Sequence, residues 1–111
     1  ALLDDEEGAA GKAKGKAGVA EAMHHLGHAH LKKGAIAQGV RSLRGALAVR
    51  RELHEGKPHK HVVASLMAVG SACRRTGATD RALAAYNEAL AMGRELRGGR
   101  HPQVEPGPGA A

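Results

Sequence analysis

The feature of this chain that most constrains its fold is an internal repeat with an interval of 43 residues, the distance from Gly27 to Gly70. When the sequence is shifted by this interval, apolar, small and glycine residues fall on residues of the same kind. The corresponding segments are Leu26-Gly27 and Val69-Gly70, Gly34 and Gly77, Val40 and Leu83, Leu43 and Tyr86, Ala46-Leu47 and Ala89-Leu90, and Arg51-Glu52-Leu53 and Arg94-Glu95-Leu96. A period of this length is typical of stacked repeat arrays, which bind partners on the extended surface of the stack. The repeat therefore favours a binding module over an enzyme.

Four segments show the spacing of apolar residues that is typical of amphipathic helices. In each segment, apolar residues recur at intervals of three or four along one face. Gly34 and Gly77 follow two of the segments at equivalent positions and supply helix stop signals. The predicted helices span residues 19–33, 35–54, 60–76 and 79–97.

The two ends of the chain differ in composition from the repeats. Residues 1–18 combine an acidic cluster with interleaved glycines and lysines and offer almost nothing to bury, so we predict a disordered leader. The alternative is a degenerate helix from a preceding repeat. Residues 102–111 are rich in proline and glycine and are predicted to be a disordered or linker-like tail. The two repeats between them are predicted to span residues 19–58 and 59–101.

The core predicted from these residues is thin. The 111-residue chain is 42% hydrophobic, but its apolar residues are mainly Ala, Leu and Val, and Tyr86 is its sole aromatic residue. Two repeats are also fewer than the roughly three that usually stand alone. We therefore expect this segment to belong to a longer array, or to self-associate through the exposed ends of its repeats.

The charge of the chain narrows the choice of partners. The formal net charge is +6 at pH 7, which favours an acidic peptide, nucleic acid or anionic lipid. No apolar run approaches the roughly 20 residues that are needed to cross a membrane, so we expect no membrane span. The sequence shows no secretory signal, so we expect a cytoplasmic location. Its one cysteine, Cys73, excludes a disulfide within the chain.

The two units resemble the tetratricopeptide repeat, in which a bulky–Leu–Gly–x–x–Tyr pattern on one helix precedes an Ala–aromatic–Ala pattern on the next. The matching residues are Met23, Leu26, Gly27, His30, Gly39, Leu43 and Ala46 in the first unit, and Leu66, Val69, Gly70, Cys73, Ala82, Tyr86 and Ala89 in the second. Segments 47–53 and 90–96 lead into histidine-containing turns and are similar to the kinesin light chain type of this repeat. The chain departs from the family at His30 and Cys73, where tyrosine is usual, and at His61, where a turn proline is expected.

The resemblance implies an all-α fold of two antiparallel helix pairs that form a short right-handed α-solenoid segment. We also expect Gly27 and Gly70 to let the helices of each pair approach closely at Ala46 and Ala89. In this family, the first helix of each pair lines a concave groove that receives a peptide. The implied function is a protein–protein interaction scaffold without enzymatic activity.

Six residues are the candidates for such a groove. They share one face of the first helix, distinct from its apolar stripe, and the matching face of the third helix. The candidates are His24, His28, Lys32, Met67, Ser71 and Arg75. Their charge favours an acidic or carboxylate-terminated segment, which charge-assisted hydrogen bonds would hold. The alternative is an ordinary solvated face.

Metal and catalytic chemistry have little support in the sequence. His24 and His28 lie four residues apart and could coordinate a divalent metal ion. Their face of the helix offers no further ligand, so we predict no metal site. No nucleophile–base–orienter set and no phosphate-binding or dinucleotide-binding glycine pattern is present, so we predict no catalytic residue and no cofactor. Cys73 is expected to pack between helices as an inert small residue.

Nucleic acid is a less favoured partner than protein. Proteins that bind single strands stack bases on aromatic side chains, and the sole aromatic residue, Tyr86, is expected to be buried between helices. Attraction of phosphates without base recognition would be weak and sensitive to salt. Nonspecific polyanion binding therefore stays the alternative function.

Overall fold

Four α-helices form the described part of the chain. The computed structural model describes the backbone of residues 2–98 and the side chains of residues 11–98, and this part contains no strand. The helices are α1 (Leu2–Lys33), α2 (Ile36–Leu53), α3 (Lys60–Thr76) and α4 (Thr79–Leu96). The predicted all-α fold of two helix pairs is confirmed, and the bounds of α2, α3 and α4 differ from the prediction by no more than one residue at either end. None of the helices within residues 2–98 has the length and apolarity that crossing a membrane requires.

The first helix begins much earlier than the sequence analysis predicted. It starts at Leu2 instead of near Val19, so the expectation of a disordered leader at residues 1–18 is not met from residue 2 onward. That expectation relied on burial, and residues 11–19 are indeed all exposed. However, the alanines and lysines between the glycines are good helix formers, and no proline interrupts the helix. The predicted tail, residues 102–111, lies outside the described residues.

Turns of the same geometry connect the two helices within each pair. Gly34 follows α1 with a φ of 93°, and Gly77 follows α3 with a φ of 86°. Both values lie in the left-handed region, which glycine adopts without steric cost. After each glycine, the next backbone N–H donates to the carbonyl oxygen five residues earlier, at 2.8 and 2.9 Å. The repeat seen in the sequence is therefore also present in the backbone geometry.

Glycines set the close approach of the helices within each antiparallel pair. A Cβ atom at Gly27 of α1 would lie 2.5 Å from Cγ of Leu43 on α2. A Cβ atom at Gly70 of α3 would lie 2.9 Å from Cε1 of Tyr86 on α4. The expected close approach is present, and the side-chain atoms nearest to the two glycines belong to Leu43 and Tyr86 instead of the alanines at positions 46 and 89. The longer side chain three residues before each alanine fills the space that the glycine leaves.

The core that joins the two pairs consists of small and medium-sized apolar side chains. Its buried members are Leu31, Leu43, Ala68, Val69, Ala72, Cys73, Ala82 and Ala85, and a smaller cluster comprises Val62, Leu66 and Ala89. Leu47 of α2 packs against both clusters. Cys73 is 4% exposed, which agrees with its expected position in the helix packing.

Both ends of the stack present apolar side chains to solvent in the described part of the chain. On α4, Leu83 and Leu90 are 53% and 54% exposed. Their equivalents in the first repeat, Val40 and Leu47, are packed against the core because α3 covers α2. On α1, Leu26 is 51% exposed. In a longer array, neighbouring helix pairs would pack against these two faces.

Candidate functional site

The six groove candidates lie on the first helices of the two pairs. His24, His28 and Lys32 lie on α1, and Met67, Ser71 and Arg75 lie on α3. Four of them are exposed, while His24 and Ser71 are partly buried. The rings of His24 and His28 contact each other edge to face, with centroids 4.7 Å apart. Among the described residues, no hydrogen bond or ion pair joins the candidates of α1 to those of α3. Both sets are thus accessible to a ligand.

A buried arginine lies where the two pairs meet. Arg50, near the end of α2, is only 8% exposed. Its Nη1 donates hydrogen bonds to Oγ of Ser65 at 2.9 Å and to the backbone oxygen of His61 at 3.3 Å. No carboxylate of the described residues forms an ion pair with it. Burial lowers the pKa of the Arg50 guanidinium, and the charge of Glu21 on α1 opposes this effect.

The charge of Arg50 acts on histidines of both helix pairs. Burial lowers the pKa of His24 on α1, and the charges of His28 and Arg50 lower it further. The pKa values of His54 and His61 are also lowered, first by burial and then by neighbouring charges that include Arg50. In addition, Nδ1 of His24 is buried without a hydrogen-bond partner. Arg50 is therefore a positive charge that acts on all three histidines, and the carboxylate of Glu21 opposes it at His24 and His61.

Arg50 was not among the predicted groove residues, because the family resemblance implied such residues only on the first helix of each pair. The sequence nevertheless contains a signal for it. Arg50 lies seven residues after Leu43 and three after Leu47, on the apolar stripe of α2, which predicts that it faces inward. Its equivalent in the second repeat is Gly93, where a Cβ atom would meet nothing within 4 Å. The buried cation is therefore a feature of the first repeat only.

Three histidines meet at the turn between α2 and α3. His54 follows the last residue of α2, His59 precedes α3 and His61 lies in its first turn. The rings of His54 and His59 stack with centroids 3.5 Å apart and planes at 8°. The ring of His61 lies 4.8 Å from that of His59, and one ring nitrogen of each histidine lies within 4.8 Å of the other two. Nε2 of His54 is buried and has no hydrogen-bond partner.

The backbone of the turn brings these rings together. Glu55 has a φ of 56° and Gly56 a φ of 75°, so two consecutive residues adopt the left-handed region and reverse the chain. Nδ1 of His59 accepts a hydrogen bond from the backbone N–H of His61 at 3.0 Å, which caps α3. In the sequence, His61 was notable only as a departure from the family pattern. The cluster was missed because spacing alone does not predict a left-handed turn at a non-glycine residue.

A second concavity lies between α2, α3 and α4. It has a volume of about 350 Å³ and is lined by core side chains together with Arg44, Arg51, Arg81 and Glu88. Nη1 and Nη2 of Arg51 donate to the Glu88 carboxylate at 2.5 and 3.0 Å. These hydrogen bonds raise the pKa of Arg51 and lower that of Glu88. This pair neutralises one arginine, and Arg44 and Arg81 leave the concavity with a net positive charge.

Comparison with known proteins agrees with the repeat architecture. The family model described as "Tetratricopeptide repeat" matches residues 18–95, which include the second half of α1, all of α2 and α3, and α4 except its last residue. No curated protein and no solved structure gives a match. The match covers every groove candidate, Arg50 and the three histidines of the turn.

Proposed function

We propose that this chain, which belongs to the tetratricopeptide repeat family, binds an acidic segment of a partner protein on the concave side formed by α1 and α3. Membership of the family makes the chain a protein–protein interaction scaffold, and the family is not a catalytic one. The electropositive groove, defined here as the six candidates and Arg50, is the more specific part of the proposal. A peptide carboxylate is the ligand group that its charges favour.

The observation that supports this proposal most directly is the burial of Arg50 without a carboxylate partner. A buried cation is costly unless an opposite charge and hydrogen bonds compensate it. Ser65 and one backbone oxygen accept hydrogen bonds from Arg50, but neither carries a charge. A ligand carboxylate near the guanidinium would supply the missing charge and make charge-assisted hydrogen bonds.

The length of the groove limits the size of the segment. His24 and Lys32 are two helical turns apart on α1, which corresponds to about 12 Å along the axis. An extended peptide rises about 3.3 Å per residue, so about four ligand residues lie along this face. We therefore expect a short linear motif with two or more acidic side chains.

The subtype and the location are further parts of the proposal. The interval of 43 residues exceeds the roughly 34 of the common tetratricopeptide repeat, which supports the kinesin light chain type. The histidine-containing turn at residues 59–61 supports it as well. A single buried cysteine, Cys73, agrees with a cytoplasmic location, because extracellular domains of this size often rely on disulfides.

Binding of a labelled peptide of alternating glutamate and leucine tests the groove, with the glutamine counterpart as the control ligand. Lys32→Glu/Arg75→Glu reverses two groove charges, and Lys12→Glu/Lys14→Glu reverses two exposed charges on the same chain. We expect the first variant to weaken binding at least tenfold more, since one charge-assisted hydrogen bond is worth about 1.5–3 kcal/mol. Equal weakening by both variants would instead establish nonspecific polyanion binding.

Arg50 has its own matched pair of variants. Arg50→Met removes the buried charge while keeping a long side chain, and Arg41→Met removes an exposed charge from the same helix. We expect Arg50→Met to lower the affinity for the acidic peptide by about tenfold or more and Arg41→Met to have little effect. Similar losses in the two variants would remove Arg50 from the groove.

A further inference from the structure

We propose that His54, His59 and His61 form a binding site for a divalent transition-metal ion, with Zn²⁺ as the expected ion, at the turn between α2 and α3. The site is separate from the proposed peptide groove, and the proposal does not rest on that groove. Imidazole nitrogen is the commonest neutral ligand for zinc, and three such ligands with one water complete a tetrahedral coordination sphere.

The distances between the histidines fit such a site. The three ligand nitrogens lie within 4.8 Å of one another. Two nitrogens that are each about 2.0–2.1 Å from a tetrahedral zinc lie about 3.4 Å apart. The rings of His54 and His59 are stacked with their planes at 8°, so their in-plane lone pairs do not point at one ion in this arrangement. Rotation about the side-chain bonds of the exposed His61 and of the partly buried His54 and His59 has to bring the three nitrogens together.

The unpartnered nitrogen of His54 is a second and independent observation. Nε2 of His54 is buried, but no donor or acceptor of the described residues satisfies it. An unsatisfied buried polar atom destabilises the folded state. Coordination of a metal uses the Nε2 lone pair and removes this deficit, provided that the proton of the ring lies on Nδ1.

To bind the ion, His59 has to lose the hydrogen bond by which it caps α3. Its Nδ1 lone pair now accepts the backbone N–H of His61. Coordination through Nδ1 uses that lone pair directly, and coordination through Nε2 requires a proton on Nδ1. In either case the cap of α3 is lost, and water can replace it because His61 is exposed. Metal binding therefore competes with the cap, which lowers the affinity but does not prevent binding.

The charges around the cluster also set the affinity. Arg50 and Lys60 lie close enough to affect the pKa of His61, and their positive charges disfavour a cation. Glu21 is the carboxylate that counteracts them, and Glu55 pairs with Lys57 at 3.8 Å. The positive charges therefore lower the affinity of the three neutral ligands for the ion. The ion would connect the end of α2 to the start of α3 and thereby fix the angle between the two repeats.

A calorimetric titration of the untagged chain with Zn²⁺ alone tests the site. We expect one ion per chain and an increase in the melting temperature with zinc concentration. His54→Gln, His61→Gln and His59→Asn should each weaken binding at least tenfold. Asn is a good N-cap, so His59→Asn keeps α3 capped and separates loss of a ligand from loss of structure.

The matched control is His24→Gln/His28→Gln, which removes the other close pair of histidines. We expect this variant to bind Zn²⁺ like the original chain. Side-chain ¹⁵N spectra should show that zinc shifts the imidazole signals of His54, His59 and His61. If zinc affinity falls only in the control variant, or if the three ligand variants bind as the original chain does, the proposal is wrong.

Discussion

The contact between Gly27 and Leu43 offers the sharpest test of the packing. A Cβ atom at Gly27 would lie 2.5 Å from Cγ and 2.8 Å from Cδ2 of Leu43. Carbon atoms in favourable contact are about 3.5–4.0 Å apart, so Gly27→Ala forces Leu43 or the whole of α2 to move by about 1 Å. Overpacking of this kind costs about 1–3 kcal/mol. Alanine also stabilises a helix by about 1 kcal/mol relative to glycine, so the expected net loss is about 0–2 kcal/mol.

Gly93→Ala is the matched control for this substitution. Gly93 also lies inside a helix, α4, but a Cβ atom there would meet nothing within 4 Å. Only the gain in helix propensity applies, so Gly93→Ala should raise the free energy of unfolding by about 0.5–1 kcal/mol. The two glycine variants should thus differ by about 1–3 kcal/mol, or several degrees in melting temperature for a domain of this size.

A double-mutant cycle identifies Leu43 as the obstacle. Leu43 is fully buried, so Leu43→Ala should cost about 2–5 kcal/mol. In Gly27→Ala/Leu43→Ala, the new methyl group enters the space that leucine has left. The double variant should therefore be more stable than the sum of the single variants predicts, by about 1 kcal/mol or more. Urea unfolding followed by circular dichroism gives these values. Strict additivity, or equal stabilisation by Gly27→Ala and Gly93→Ala, would refute the reasoning.

Three further predictions concern charge, pH and association. The side chains of Arg51 and Glu88 are 41% and 44% exposed, so a double-mutant cycle to alanine should give a coupling of only about 0.2–1 kcal/mol, and a larger value would mean that the pair is shielded from solvent. Because the pKa of His24 is lowered from 6.5 on folding, its stabilising effect is present above pH 6.5 and is lost as the pH falls through its folded value. His24→Gln should therefore lose less stability than the original chain between about pH 7.5 and 5.5 in urea unfolding, and an equal loss would contradict the shift. Leu83→Glu/Leu90→Glu should reduce self-association in analytical ultracentrifugation, since both leucine side chains are exposed on α4. If the variant associates as strongly as the original chain, another surface mediates the association.

The sequence predicted α2, α3 and α4 well because two independent signals agree there. The spacing of apolar residues defines one face of each helix, and glycine or proline turns bound the helices. At the start of α1 these signals are absent, since residues 11–19 are exposed and contain no apolar stripe. Helix formation there follows from local propensity, continued from the packed part of α1 that begins at the buried Ala20.

The candidate site was predictable only in part. Repeat equivalence predicted the six candidates on matching faces of the first and third helices, and the helix bounds place them on α1 and α3. Their role in a groove stays a prediction. Arg50 lies on the second helix of its pair, and the family resemblance implied groove residues only on the first. The histidine cluster depends on the positive φ of Glu55, a backbone conformation that the sequence does not encode in a recognisable pattern. The spacing of apolar residues thus predicts the faces of the helices. The turns that bring residues of different helices together depend on tertiary structure.

Arg50 links the two proposed sites, and this link has a measurable consequence. Its charge affects His24 beside the groove and also His54 and His61 in the histidine cluster. A peptide carboxylate at Arg50 would offset the positive charge that disfavours a metal at the cluster. A bound metal ion would in turn make the groove more attractive to an acidic peptide. Since coupling between two binding sites is reciprocal, each ligand should strengthen the binding of the other by the same factor.

The coupling is measured as the affinity for the glutamate–leucine peptide with and without Zn²⁺. We expect zinc to tighten binding severalfold in the original chain, an effect that should be weaker at high salt because the interaction is electrostatic. His59→Asn, which lacks a metal ligand but keeps the helix cap, should bind the peptide with an affinity that zinc does not change. In Arg50→Met the metal is no longer opposed by the buried charge, so zinc should bind more tightly even without peptide. If zinc leaves the peptide affinity of the original chain unchanged while both ligands bind, the two sites are not linked through Arg50, and its charge is screened between them.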